Sequence, residues 1–423
     1  MNRLYTSRFL ILFLLMFPTA QQCYDNPHFY RATNFFPEPR LEKDWLFSFD
    51  ATFGGGGTKH STDAHRHTVP LLDTFGLTRA QDIGIGVPNK NLANNLDLIL
   101  IELSRTPGRS TFGTFSVTGK FSILELNMQL YQNFCHGFFF NAHLPVRRFS
   151  THDTAFVDLS PNDDIYPNKN TFIWQEFLVS FNAILQRYNL SANNVTQTGA
   201  GDLTMYLGWT SNYQESDVLD FIDFTFKAGV LAPTGKAKNE AELFSLPFGY
   251  NKHWGIPISA ACSMGTCDWI TIGGYGEVIF FFPRTRFIRL KTSSRQQGII
   301  KLASGPVKVH EGLVWHAGGY FKADHVICGF SCGFGYSFAS QHRTTLDSPK
   351  PQLFPYALIN DDESLHGFQM QVVHLFADYD FATEDRRFGP RAGLFVNAQV
   401  SGKRTYKTSV GGVNFGFDIV WHW

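Results

Sequence analysis

Apolar side chains recur at every second position along this chain, in segment after segment, and no other feature limits its fold so tightly. The last segment is the clearest. Phe415, Phe417, Ile419, Trp421 and Trp423 alternate with Asn414, Gly416, Asp418, Val420 and His422. Successive side chains of a β-strand point to opposite faces, so one face of this segment is greasy and the other mostly polar. Trp45, Phe47, Phe49, Ala51 and Phe53 repeat the design, as do Leu203, Met205, Leu207 and Trp209, and Leu394, Val396, Ala398 and Val400. One such strand says little, but many of barrel length describe a wall that meets lipid outside and water inside.

Composition narrows the setting. Lys and Arg number 36 and Asp and Glu number 36, so no basic excess exists to neutralise phosphates, and a nucleic-acid partner is not expected. Charged residues are 17% of the chain, below the roughly 25% of soluble domains. Phe alone numbers 43, yet mean hydropathy is only −0.13. After the first twenty residues no run reaches 18 apolar residues. Only a closed barrel then crosses a bilayer, because its backbone groups pair between strands.

The first twenty residues read as an address. Arg3 and Arg8 precede the apolar run Phe9 to Phe17, and Pro18, Thr19 and Ala20 supply small residues for cleavage. The expected organisation is a signal peptide at 1–20, a periplasmic segment at 21–44 and a β-barrel at 45–423. Strands are expected near 45–54, 119–131, 137–147, 200–211, 220–232, 268–282, 285–292, 309–322, 326–340, 366–381, 388–401 and 408–423, about 12 in all, an even number. The fold class is therefore all-β, a transmembrane antiparallel barrel in which short turns alternate with long outer loops. Residues 96–105 are either a further strand of a 14-stranded barrel or a short helix. Ile173, Trp174, Phe177, Leu178, Phe181, Ile184, Leu185 and Tyr188 step by three and four, which predicts an amphipathic helix in a long connection.

Two motifs carry a resemblance. Thr198-Gly199-Ala200-Gly201-Asp202-Leu203 opens one strand, and Lys227-Ala228-Gly229-Val230-Leu231-Ala232-Pro233-Thr234-Gly235 closes the next. Together they resemble the strand pair of bacterial outer-membrane proteins described as phenol meta-pathway-type transporters. The likeness covers about 40 residues plus the last strand, and implies a channel in the outer membrane of a Gram-negative cell. Phe415, Phe417, Ile419, Trp421 and Trp423 also resemble the terminal recognition strand of such barrels. This implies that the barrel-assembly machinery is a partner, along with the lipid bilayer and small-molecule solutes. On residues alone, Gly201 and Gly235 are explained by tight turns at the ends of the ladder.

The inward face offers candidate pore-lining residues: Asp50, Glu125, Asp223, Glu277 and Asp418, with Lys227, Arg289, Lys291, Lys322 and Arg391, and His143 and His316. Five acids and five bases balance. That predicts weak ion selectivity or a wall cross-linked by ion pairs. Cys262 and Cys267 are expected in an outer loop, where they could form a disulfide in an exported protein. His60, His65 and His67 beside Asp63 offer zinc or nickel ligand types, but nothing completes a site, and no metal or cofactor is expected. No serine-hydrolase elbow, metalloprotease helix or phosphate loop occurs. The expected function is passive or facilitated passage of small solutes. The rivals are a barrel enzyme, lipase- or protease-like, and a structural or adhesive surface barrel.

Overall fold

Outward apolar and inward polar or small residues alternate along twelve antiparallel strands, and the sheet closes because the first strand pairs with both the second and the last. The computed structural model describes residues 45–86, 94–105, 113–160, 172–214, 219–267, 269–327, 329–381 and 388–420. The expected signal segment 1–20, the segment 21–44, Cys328, Trp421 and Trp423 lie outside the described residues.

The wall runs β1 (Leu46–Thr58), β2 (Thr114–Asn133), β3 (Phe138–Asp158), β4 (Leu203–Tyr213), β5 (Phe221–Ala232), β6 (Gly255–Thr266), β7 (Ile270–Phe281), β8 (Val314–Ile327), β9 (Phe330–Gln341), β10 (Gln369–Asp380), β11 (Phe388–Lys403) and β12 (Ser409–Val420). Every strand pairs with its neighbours in sequence, so the topology is a closed up-and-down meander. Closure leaves no edge in the hydrocarbon layer. A 12-residue strand tilted by about 40° rises roughly 30 Å, enough for an apolar band of about 25 Å.

The two faces differ as the alternation requires. Leu207 is 70% exposed on the outside while Tyr206, one residue earlier, is 6% exposed inside. Phe415 faces outward, and Phe417 and Ile419 share its face at the next alternate positions. Exposed aromatics gather where the membrane surfaces would lie. Trp45, Phe138, Trp209, Trp269 and Phe388 sit at the short-turn end, and Trp254, Phe280 and Phe282 at the other. Such girdles anchor barrels at both interfaces. No helix among the described residues is long and apolar enough to cross a membrane.

Connections of 2 to 7 residues close one end of the barrel; at the other end five connections have 22 to 55 residues and the sixth, between β11 and β12, has 5. There β2 and β3 extend beyond the rim as a long hairpin. The helices α1 (Ala80–Ile85), α2 (Asn95–Arg105) and α3 (Phe172–Arg187) bury their apolar faces at this end, and Phe181 packs its ring on Phe115 and Phe156 of the hairpin. Arg187 Nε and Nη2 and the Tyr188 hydroxyl donate to Asp97, at 2.7–2.9 Å, locking α3 to α2. Residues 96–105 are thus helical, and the barrel has twelve strands. Two short strands, Thr78–Arg79 and Val195–Ala200, flank the wall on β2 and β3.

One expected strand is corrected. Residues 285–292 do not enter the barrel: Arg284–Arg289 pairs with Ser304–His310, which pairs in turn with Thr345–Asp347, in a separate three-stranded sheet. Its place in the wall is taken by β6, which pairs with β5 and β7. The expected disulfide is overturned with it. Cys262 lies within β6, opposite Gly274 and Phe224, and Cys267 follows in the turn, and both thiols are free. Five residues along a strand span about 16 Å, well past the roughly 7 Å that a disulfide tolerates between Cα atoms.

Candidate functional site

The inward face carries a belt of engaged polar groups. Arg391 donates to Asp50 at 3.0 Å, pairs with Asp418 at 3.1 Å and reaches Ser48 at 3.0 Å, so one guanidinium joins β11, β1 and β12. Glu125 and Arg147, both side chains fully buried, approach to 3.5 Å. The Tyr206 hydroxyl donates to Glu277 at 2.9 Å, His316 lies 3.7 Å from the other oxygen, and the Lys227 ammonium sits 5.0 Å above the Tyr206 ring. Asp223 accepts from Asn212 and from Ser263, and Lys322 pairs with Asp324 at 2.6 Å. His143 faces inward on β3 and is 4% exposed.

Two expected members are corrected. Arg289 and Lys291 leave the wall with the 285–292 segment. Arg289 donates to the carbonyls of Glu240, Tyr188, Leu302 and Asn189. Lys291 binds Asp361 at 2.7 Å and holds that carboxyl below its ordinary range. Both tie connections together instead of facing the lumen. The expectation missed Arg147, Asp324, Asp378 and Asp380, which fall on inward positions. Among the described strand residues eight acids now face four bases (Arg147, Lys227, Lys322 and Arg391), so the expected balance gives way to an acidic lumen.

The two sequence motifs meet in a clasp. Asp202, fully buried, accepts from the backbone N–H of Gly235 at 2.9 Å and of Tyr250 at 2.6 Å. Thr234 donates its hydroxyl to the Gly201 carbonyl at 2.7 Å and accepts from the Leu203 N–H at 2.9 Å. A Cβ on Gly249 would strike the Asp202 carboxylate. The clasp holds the 233–254 connection inward. Its apolar stretch Leu243 to Phe248 seats against the wall, with the Phe248 ring 4.7 Å from that of Phe149 and the Phe248 carbonyl accepting from Arg147 at 3.3 Å. One apolar cluster thus runs from the helices into the mouth of the lumen, where it meets inward-facing Phe121, Phe149, Phe376 and Phe395.

Above that mouth lies a cavity of about 230 Å³. All six long-end connections contribute to its walls: Phe75, Leu190, Phe244, Arg286, Phe368 and Arg404 represent them in order. Lys301 bonds to Asp362 on one side. Burial disfavours the charged form of Asp362, but Lys301 and Ser364 outweigh it and hold the carboxyl below its ordinary range.

A further constellation spans three adjacent strands. The Ser337 hydroxyl lies 2.8 Å from His374 Nε2, and His374 Nδ1 lies 2.7 Å from Asn397 Oδ1. Ser337 and His374 are each 1% exposed. Among the described residues no group of three His, Cys, Asp or Glu is placed to hold a metal, and His65 and His67 give their backbone N–H groups to Asp63.

Fold and site together define a twelve-stranded transmembrane β-barrel with its long connections folded over one mouth. No protein-family model and no curated protein matches the chain. Several solved structures are similar to the chain. An outer-membrane channel of Pseudomonas putida F1 is 12% identical over 91% of this chain and 100% of that one, with a TM-score of 0.47. The translocator domain of the autotransporter NalP from Neisseria meningitidis is 9% identical over 90% of each chain, with a TM-score of 0.33. A Pseudomonas aeruginosa FadL homologue is 10% identical over 90% of this chain and 91% of that one, with a TM-score of 0.31.

Proposed function

We propose that this protein is a channel of the bacterial outer membrane through which small solutes pass down their gradient. In this reading the short turns face the periplasm and the long connections face outward. The observation that carries it is the closed wall, greasy outside and polar within, whose lumen leads to a cavity lined by all six connections of that end. The apolar stretch Leu243 to Phe248 makes the pore gated, with the Asp202 clasp as its latch. The acidic lumen favours cations over anions, because like charge in a confined site is repelled. Purified protein in planar bilayers tests this: stepwise conductance with a reversal potential on the cation side is expected in a salt gradient. Silent membranes containing correctly folded protein would remove the reading.

A second reading has one specific observation behind it. Ser337, His374 and Asn397 carry the hydrogen-bond order of a hydrolase triad. Burial of the serine argues for a structural bracket between β9, β10 and β11. A fluorophosphonate probe separates the two: covalent labelling of Ser337 supports the enzyme, and an unlabelled chain supports the bracket.

A further inference from the structure

We propose that the cavity beneath the converging connections binds a small monoanionic molecule, a carboxylate on a compact apolar body, with the Lys238 ammonium as its recognising cation. This deepens the channel reading by naming what the mouth retains, although the site itself does not depend on flux. The walls supply the apolar part, from Phe75, Leu243, Phe244, Ile299, Leu346 and Phe368. A volume of about 230 Å³ lies below the roughly 300–1,000 Å³ of drug-sized sites, which limits the occupant to a compact body.

Four of the five Lys and Arg side chains that line the cavity are engaged. Arg286 pairs with Glu240 at 3.5 Å, Lys301 with Asp362, and Arg404 with Glu363. Arg289 spends its donors on four backbone carbonyls. Lys238 differs. Among the described residues its ammonium has neither a hydrogen bond nor an ion pair, while its backbone N–H is held by Asn251. Both nearby acids, Glu240 and Asp362, are already turned to other partners. Lys238 is half-buried where it lines the cavity, and a bound anion would supply the partner that its ammonium lacks. One free ammonium matches one negative charge, which favours a carboxylate over a phosphate dianion.

Isothermal titration of the full chain in detergent at neutral pH tests this with three probes that share one ring: cyclohexanecarboxylate, its isostere cyclohexanecarboxamide, and cyclohexylammonium. The carboxylate should bind at least tenfold tighter than either of the others. Lys238→Met should reduce carboxylate affinity tenfold or more, to the level of the amide, without lowering the melting temperature, and Lys238→Arg should retain it. Equal affinity for carboxylate and amide, or wild-type affinity in Lys238→Met, would overturn the proposal. Should Lys238→Met fail to fold, a pH series on the natural chain decides. Burial, aided by Lys301 and Arg286 and opposed by Glu240 and Asp362, lowers the Lys238 pKa from 10.5. Carboxylate affinity should therefore fall as pH rises through that lowered value while amide affinity stays flat, and a carboxylate curve parallel to the amide curve sinks the idea. Binding without conductance would sink the channel reading alone; conductance without selective binding would sink this one alone.

Discussion

Replacing Asp202 with alanine should open the clasp without opening the barrel. The carboxylate is fully buried and accepts two backbone N–H groups, from Gly235 and Tyr250. Truncation strands both donors. A buried donor left unsatisfied costs about 1–3 kcal/mol, so the pair costs about 2–6 kcal/mol, all of it charged to the inward pose of residues 233–254. The barrel ladder does not involve this side chain, so unfolding of the wall should be little changed. Limited proteolysis of the detergent-solubilised protein reads the effect. Cleavage within 236–250 should accelerate by about 30-fold or more, because each 1.4 kcal/mol is tenfold in the open population. Heat-modifiable migration on a gel should persist. Asp202→Asn keeps one acceptor oxygen and should fall between. Gly249→Ala should mimic Asp202→Ala without removing a charge, because its methyl group strikes the carboxylate. In bilayers both variants should spend more time conducting. If Asp202→Ala protects the connection as well as the natural chain does, the latch argument is wrong.

Other expectations follow from the same geometry. Arg147→Met takes the cation from beside fully buried Glu125 and removes the donor to the Phe248 carbonyl, so denaturant titration should show a loss of about 3–5 kcal/mol, and the double variant with Glu125→Gln should recover part of it. Leu394→Arg places a cation on the outward face, where Leu394 is 62% exposed, and should cost about 2–4 kcal/mol of folding into lipid, whereas the same change in a soluble β-sandwich would cost little. Asp362 has its pKa held below 3.8, so its contribution to the cap is present above that value and is lost as pH falls through the folded pKa. Hydrogen exchange in 286–311 and 344–366 should accelerate under those acid conditions, and Lys301→Met should abolish that pH dependence.

The wall was legible because its signal is local. A two-residue period places Asp50, Glu125, Asp223, Lys227, Glu277, His316, Lys322, Arg391 and Asp418 on the inward face wherever the segment is a barrel strand. The α3 helix was equally plain from its three-and-four spacing. Strand β6 hid because its inward residues are Gly255, Pro257, Ser259, Ala261, Ser263 and Gly265, small side chains that read as a loop. Residues 285–292 misled for the opposite reason: they do form a strand, and period alone does not say which sheet it joins.

By itself the sequence determined that the chain forms a closed, lipid-facing sheet of about twelve strands, since alternation and the lack of long apolar runs are properties of neighbouring residues. Tertiary structure decided what the interior and the mouth hold. Asp202 finds Gly235 and Tyr250, Arg147 finds Phe248, Ser337 finds His374 and Asn397, and Lys238 finds no partner, only when connections far apart in the chain are folded over one rim. Those meetings depend on register and loop closure, which no local pattern encodes.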